Sequence, residues 1–156
     1  ARPHDQRGFT LIELMVVIAV LIILITVGVP SFRDTIIATR IKNASFDVYS
    51  SLVQARSEAV TRNNTVTITA ADASDWAKGW TIRENAGGTI VRRQDPAEGI
   101  TITGPGASLT FNGMGRLTGA VVGQFTVTAT DATDAQKRCI IIDPSGRPAT
   151  KTGACS

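Results

Sequence analysis

The stretch Arg7–Pro30, RGFTLIELMVVIAVLIILITVGVP, decides how the rest of the chain is read. From Phe9 to Val29 it is apolar except at Thr10, Glu13, Thr26 and Gly28. A run of roughly 20 residues at 1.5 Å rise makes about 30 Å of helix, the thickness of a bilayer core. Glu13 is the anomaly, because a carboxylate at helix-centre depth in lipid costs about 3 kcal/mol on insertion scales. No Lys or Arg lies within the run to pair with it. Upstream stands ARPHDQRG, whose Arg2 and Arg7 hold that end in the cytoplasm and direct the chain beyond Pro30 outward. The sequence opens without Met, so residues 1–8 are expected to be part of a leader.

Three readings of the run compete. A secretory signal has a shorter apolar core and a small-residue cleavage site after it, and no A-x-A pattern comes after Val29. A plain membrane anchor explains the length and leaves Glu13 without a use. A helix that leaves the lipid to pack among similar helices gives the carboxylate a buried cationic partner. A cut after Gly8 would create such a cation, an amine at Phe9, one helical turn before Glu13. Fixing register is the best-attested use of a buried ionic group.

Beyond Pro30, where a bend is expected, the helical pattern continues. Ile37, Ile41, Ala44, Val48, Leu52, Ala55 and Ala59 recur at three- and four-residue steps, one apolar stripe on an otherwise polar helix. Arg33, Arg40, Lys42, Asp47, Arg56 and Glu58 largely take the other faces, and Asn63-Asn64 suits the end. From Thr65 the period changes to two. Strands are expected at 66–69, 80–83, 89–93, 100–103, 108–111, 124–130 and 138–143, with turns at Asn85–Gly88, Asp95-Pro96, Gly104–Gly106, Asn112-Gly113 and Asp143–Gly146. Short strands with frequent turns predict an antiparallel sheet packed on the helix stripe, an α+β fold. The divisions are 1–8 leader, 9–30 transmembrane and assembly helix, 31–64 amphipathic continuation, and 65–156 β domain.

Charge is uninformative: the chain carries net +3, too mild a balance to argue for nucleic acid. Cys139 and Cys155 lie close together at the end of an exported chain, which reads as a disulfide in an oxidising compartment; two unrelated thiols is the alternative. No catalytic constellation appears, so no enzyme is expected. The sole His, His4, lies in the leader, and no cluster has metal-ligand spacing. Gly113-Met114-Gly115 is too short for a phosphate loop and reads as a hairpin turn, and no cofactor is implied.

Gly8-Phe9-Thr10-Leu11-Ile12-Glu13 resembles the class III signal shared by type IV pilins and type II secretion pseudopilins. The resemblance implies a cut between Gly8 and Phe9 by a prepilin peptidase, N-methylation of Phe9, and docking through Glu13 to a neighbouring subunit's amine. It also implies a single-pass inner-membrane protein of bacteria with a periplasmic C-terminal domain, later drawn into a pilus or pseudopilus. Further on, QARSEAVTRNN (54–64), WAKGWTI (76–82), LTFNGMGRL (109–117) and IIIDPSGRP (140–148) are similar to the GspH/FimT family. The stretch D-W-x-K-G-W and the Cys-Ser tail look closest to its FimU/FimT-like minor pilins, whose implied role is to prime or cap pilus assembly with other pilins. An H-type pseudopilin of type II secretion is the alternative. A third reading is a pilus-displayed DNA-binding subunit for DNA uptake: Arg138, Arg147 and Lys151 crowd the tail, and some FimT-type members carry Gly-Arg-x-Arg near the C-terminus. Gly146-Arg147 matches its first half, but Ala149 stands where the second Arg belongs. Three or four phosphate contacts would bind weakly and with strong salt dependence, and a solvated loop is the competing reading. Arg83, Arg92 and Arg93 form a second basic group.

Overall fold

The computed structural model describes residues 9–119 and 123–155, without side chains at 27–31. It divides into two compact units, one ending at Ile36 and the other running from Ile37. Helix α1 (Leu11–Arg62) enters both. In the first unit every large apolar side chain from Phe9 to Ile25 is exposed. Among the described residues no helix is long and apolar enough to cross a membrane; the apolar run of the sequence ends at Val29, and the side chains at 27–31 lie outside the description. The helix is assigned continuously through Pro30, which lacks the amide that would otherwise bond the Thr26 carbonyl.

In the second unit α1 buries Ile41, Ala44, Val48, Leu52, Ala55 and Ala59, the stripe read from the sequence, with Ile37 at its margin. The helix ends at Arg62 because Asn63 takes a left-handed conformation, φ 46°. The Asn64 amide then bonds the Ala59 carbonyl at 3.1 Å and the Asn63 amide bonds that of Val60 at 3.2 Å. This is a Schellman ending, with Asn where glycine is commoner. Arg62 pairs with Glu58 and Glu84, and the Asn64 side chain also donates to Glu84, fixing the helix end to the strands.

Two four-stranded antiparallel sheets complete the core. The first has order β3-β2-β1-β5, from β1 (Val66–Ala70), β2 (Trp80–Glu84), β3 (Ile90–Gln94) and β5 (Ser108–Phe111). The second has order β4-β6-β7-β8, from β4 (Thr101–Thr103), β6 (Gly123–Thr128), β7 (Arg138–Ile142) and β8 (Pro148–Thr152). Period-two patterning sends Val66, Ile68, Ile82 and Phe111 inward from one sheet and Ile102, Phe125, Val127, Ile140 and Ile142 from the other.

Tryptophans and one carboxylate join these layers. The Trp80 indole N–H donates to the buried Ser51 hydroxyl of α1 at 3.0 Å. Trp76 meets Phe125 edge-on, ring centres 4.9 Å apart, and donates to the Gly106 carbonyl. Asp75 caps a 3₁₀ turn, Trp76–Lys78. Its Oδ1 accepts from the amides of Ala77 and Ile102, at 2.9 and 3.1 Å, linking that turn to β4.

Two elements were not expected. The 3₁₀ turn is one; the other is β8, whose sequence PATKT has no apolar alternation. It pairs with β7 over its full length and stays largely exposed as a sheet edge. Pro148 at its start and Lys151 within it are residues that discourage further pairing. A second difference concerns α1, which is not polar on its outer face: Phe46, Val53 and Val60 are exposed there.

Candidate functional site

The head of α1 is built around Glu13. The Thr10 amide donates to Glu13 Oε2 at 3.3 Å, and the Glu13 amide donates to Thr10 Oγ1 at 3.3 Å. The Thr10 hydroxyl adds a 3.4 Å contact to the same carboxyl oxygen. This reciprocal pattern is a capping box, and T-L-I-E is its S/T-x-x-E signature. Two orphan amides of the first turn are satisfied, and the acidic group faces the positive end of the helix dipole. Polar groups in lipid need internal partners, and this cap supplies Glu13 with two of them. The cap uses only residues after the expected cut. Gly8 itself, like His4, lies outside the described residues; Phe9 is exposed beside the cap.

At the other end, Cys139 and Cys155 form a disulfide that ties the chain end to β7. The three basic residues of the tail are not brought together. Arg138 opposes Thr152 across the ladder, whereas Lys151 opposes Cys139, so alternation puts Arg138 and Lys151 on opposite faces of the sheet. Arg147 precedes Pro148, which faces Ile142, at the far end of a ladder roughly 13 Å long. Arg138 is half-buried and one of its guanidinium nitrogens reaches the carbonyls of Ala135, Gln136 and Lys137.

Gly146 has a packing role. It is buried with φ 79°, and a Cβ there would overlap the Gly115 carbonyl oxygen. That same oxygen accepts from Arg56 of α1 at 3.0 Å. Thus the Asn112–Arg116 loop, held by Asn112 Oδ1 bonds to the Met114 and Arg116 amides, is clasped between helix and tail. The neighbouring Asp143 carboxyl sits below the usual carboxylate range, chiefly because the Ser145 hydroxyl and then the Arg147 amide donate to it. Of the second basic group, Arg83 and Arg93 are exposed, while Arg92 turns to Gln94 and to Gln54 of α1.

Among the described residues no group of His, Cys, Asp or Glu converges as a metal site. What the geometry offers is a capped apolar helix leading into a helix-backed, two-sheet head, the architecture of a type IV pilin-like subunit. Comparison with known proteins defines it further. Residues 44–146 match the family described as type II transport protein GspH, and residues 3–29 match the prokaryotic N-terminal methylation motif. The chain belongs to the GspH family of minor pilins and pseudopilins.

A crystal structure of the type IV minor pilin FimU of Pseudomonas aeruginosa superposes with a TM-score of 0.65 at 27% identity, covering 72% of this chain and 89% of that one. A second crystal form of FimU gives 0.62 at 28% identity, covering 70% and 91%. The minor pseudopilin EpsH of the Vibrio cholerae type II secretion system shares the fold, with a TM-score of 0.58 at 12% identity, covering 77% and 99%. Among curated proteins there is no significant match. Members of this family are structural pilins and pseudopilins, not enzymes, and assemble with other subunits of their kind.

Proposed function

We propose that this chain is a minor type IV pilin that primes or caps pilus assembly. In this reading residues 9–30 hold it in the bacterial inner membrane with residues 65–156 in the periplasm. A prepilin peptidase cuts between Gly8 and Phe9, Phe9 is N-methylated, and Glu13 pairs with a neighbouring subunit's amine in the filament. The observation that carries the reading is the Thr10–Glu13 cap at the head of an apolar helix half whose described side chains are exposed. The cap serves the carboxylate while the subunit is alone; the new amine serves it after docking. The test is a Gly8→Ala variant in the native host: the precursor keeps its size and is missing from sheared filaments. A variant trimmed and incorporated like the parent would sink the proposal.

The 27% identity to FimU favours a pilus over a secretion pseudopilus. The pseudopilin reading would be preferred if deleting the gene stopped protein secretion and left twitching intact. The reading as a DNA-uptake subunit draws no support from a shared patch, since Arg138, Arg147 and Lys151 lie on different faces or ends of the β7–β8 ladder. A gel shift abolished by Arg147→Ala would revive it.

A further inference from the structure

The outer side of α1 carries a second apolar line that the head leaves largely exposed, with only Val60 touching the loop at Gly115. Phe46 and Val53 are seven residues apart, as are Val53 and Val60, with Tyr49 one turn after Phe46, the spacing of a helix-packing seam. Phe46 is 66% exposed, Val53 42% and Val60 50%. Phe46, Tyr49 and Val53 line one groove together, so they are not singly scattered surface residues. At its N-terminal end the line opens into a groove of about 330 Å³ between α1 and the β7–β8 edge, lined by Lys42, Ser45, Phe46, Tyr49, Arg138 and Thr150. Lys42 is exposed and enters no ion pair among the described residues. Arg138 spends one nitrogen on the carbonyls of the preceding turn, and a guanidinium has further N–H donors besides. No carboxylate lines the groove.

We propose that this groove and seam receive a helical segment of another pilin-class subunit. Its apolar face would lie along Phe46, Tyr49 and Val53, and one carboxylate would sit between Lys42 and Arg138. The proposal rests on the pilin reading above. Charge complementarity selects an acidic partner, since two cations without a neutralising acid flank the rings. The continuation of the seam selects a helix over a nucleic acid: a second groove runs along Tyr49, Val53 and Ser57 to Glu58, which is paired with Arg62, and no lysine or arginine lines it to hold a phosphate backbone. The cations set partner choice and encounter rate, and the aromatic contacts anchor.

The test uses the full chain in filament-assembling cells, with benzoylphenylalanine placed at position 46 or, as a reference, at position 17 in the first half of the helix. Irradiation is expected to give a protein adduct at both positions. The adduct at 46 is expected to be lost in Lys42→Glu and kept in Lys42→Arg, while that at 17 persists in both. Arg138→Glu, judged only if the purified protein melts like the parent, is expected to behave as Lys42→Glu. An adduct at 17 with none at 46, an adduct at 46 indifferent to Lys42→Glu, or an adduct to DNA overturns the groove proposal alone. Absence of adducts at both positions, with an unprocessed chain, overturns the pilin reading beneath it.

Discussion

The two halves of α1 have the same secondary structure and opposite uses of apolar surface. From Phe9 to Ile25 the helix is apolar nearly all round, and its large side chains stay exposed. From Ile41 to Ala59 a single stripe is fully buried in the head. A helix apolar on every side needs lipid or other helices, whereas a striped one needs only the sheets of its own chain. The first half is therefore written for other molecules and the buried stripe of the second for this one. Substitutions in the first should alter assembly without touching the stability of the head, and those in the buried stripe should do the reverse.

The sharpest way to break this contrast is Glu13→Ala, which should leave membrane insertion intact and reduce incorporation into filaments to near background on immunoblots of sheared pili. Wild-type incorporation would mean that the first half docks without its charge. Next in size is Phe125→Ala in the head, expected to cost about 3–5 kcal/mol for a large core side chain, read by thermal melting. Val17→Ala should leave that melting temperature unmoved. Reducing the Cys139–Cys155 bridge should cost roughly 3 kcal/mol on the chain-entropy view, so the melt with reductant should fall well below the melt without it; titratable thiols in native exported protein would remove its premise. Ser51→Ala should cost about 1–3 kcal/mol, because it strands the buried Trp80 indole N–H.

The smallest effect is a pH response of the head. Asp72 is held below the ordinary carboxylate range by hydrogen bonds from Lys78 and then Ser74, and Asp143 by those from Ser145 and Arg147. A depressed folded-state value stabilises above the unfolded pKa of about 3.9 and is lost as pH falls through the lowered value. Melting should therefore be flat with respect to these two groups near neutrality and decline below about pH 4. Asp72→Asn together with Asp143→Asn should flatten part of that decline.

Much of the architecture could be read from periodicity. The stripe from Ile41 to Ala59, the helix end at Asn63-Asn64 and the seven strands expected from Thr65 onward arise from patterns of 3.6 and 2, because burial imposes them directly. What escaped was governed by pairing instead. PATKT becomes β8 through its ladder to β7, with no side-chain alternation to announce it. The 3₁₀ turn at Trp76 depends on Asp75 accepting amides from two elements. At the candidate sites, Glu13 was conspicuous as a charge in an apolar run, and its cap was equally visible in T-L-I-E. The dispersal of Arg138, Arg147 and Lys151 was not, since neighbours in sequence alternate faces once a strand forms. The seam at Phe46, Val53 and Val60 was present as a seven-residue spacing, overshadowed by the stronger stripe behind it.

One oxygen of Asp75 receives both the turn after β1 and the first residues of the second sheet. The second sheet cannot part from that turn without stranding the Ile102 amide. The head should accordingly come apart in one calorimetric step whose van 't Hoff and measured enthalpies agree, a rigid block fit to transmit tension rather than yield to it.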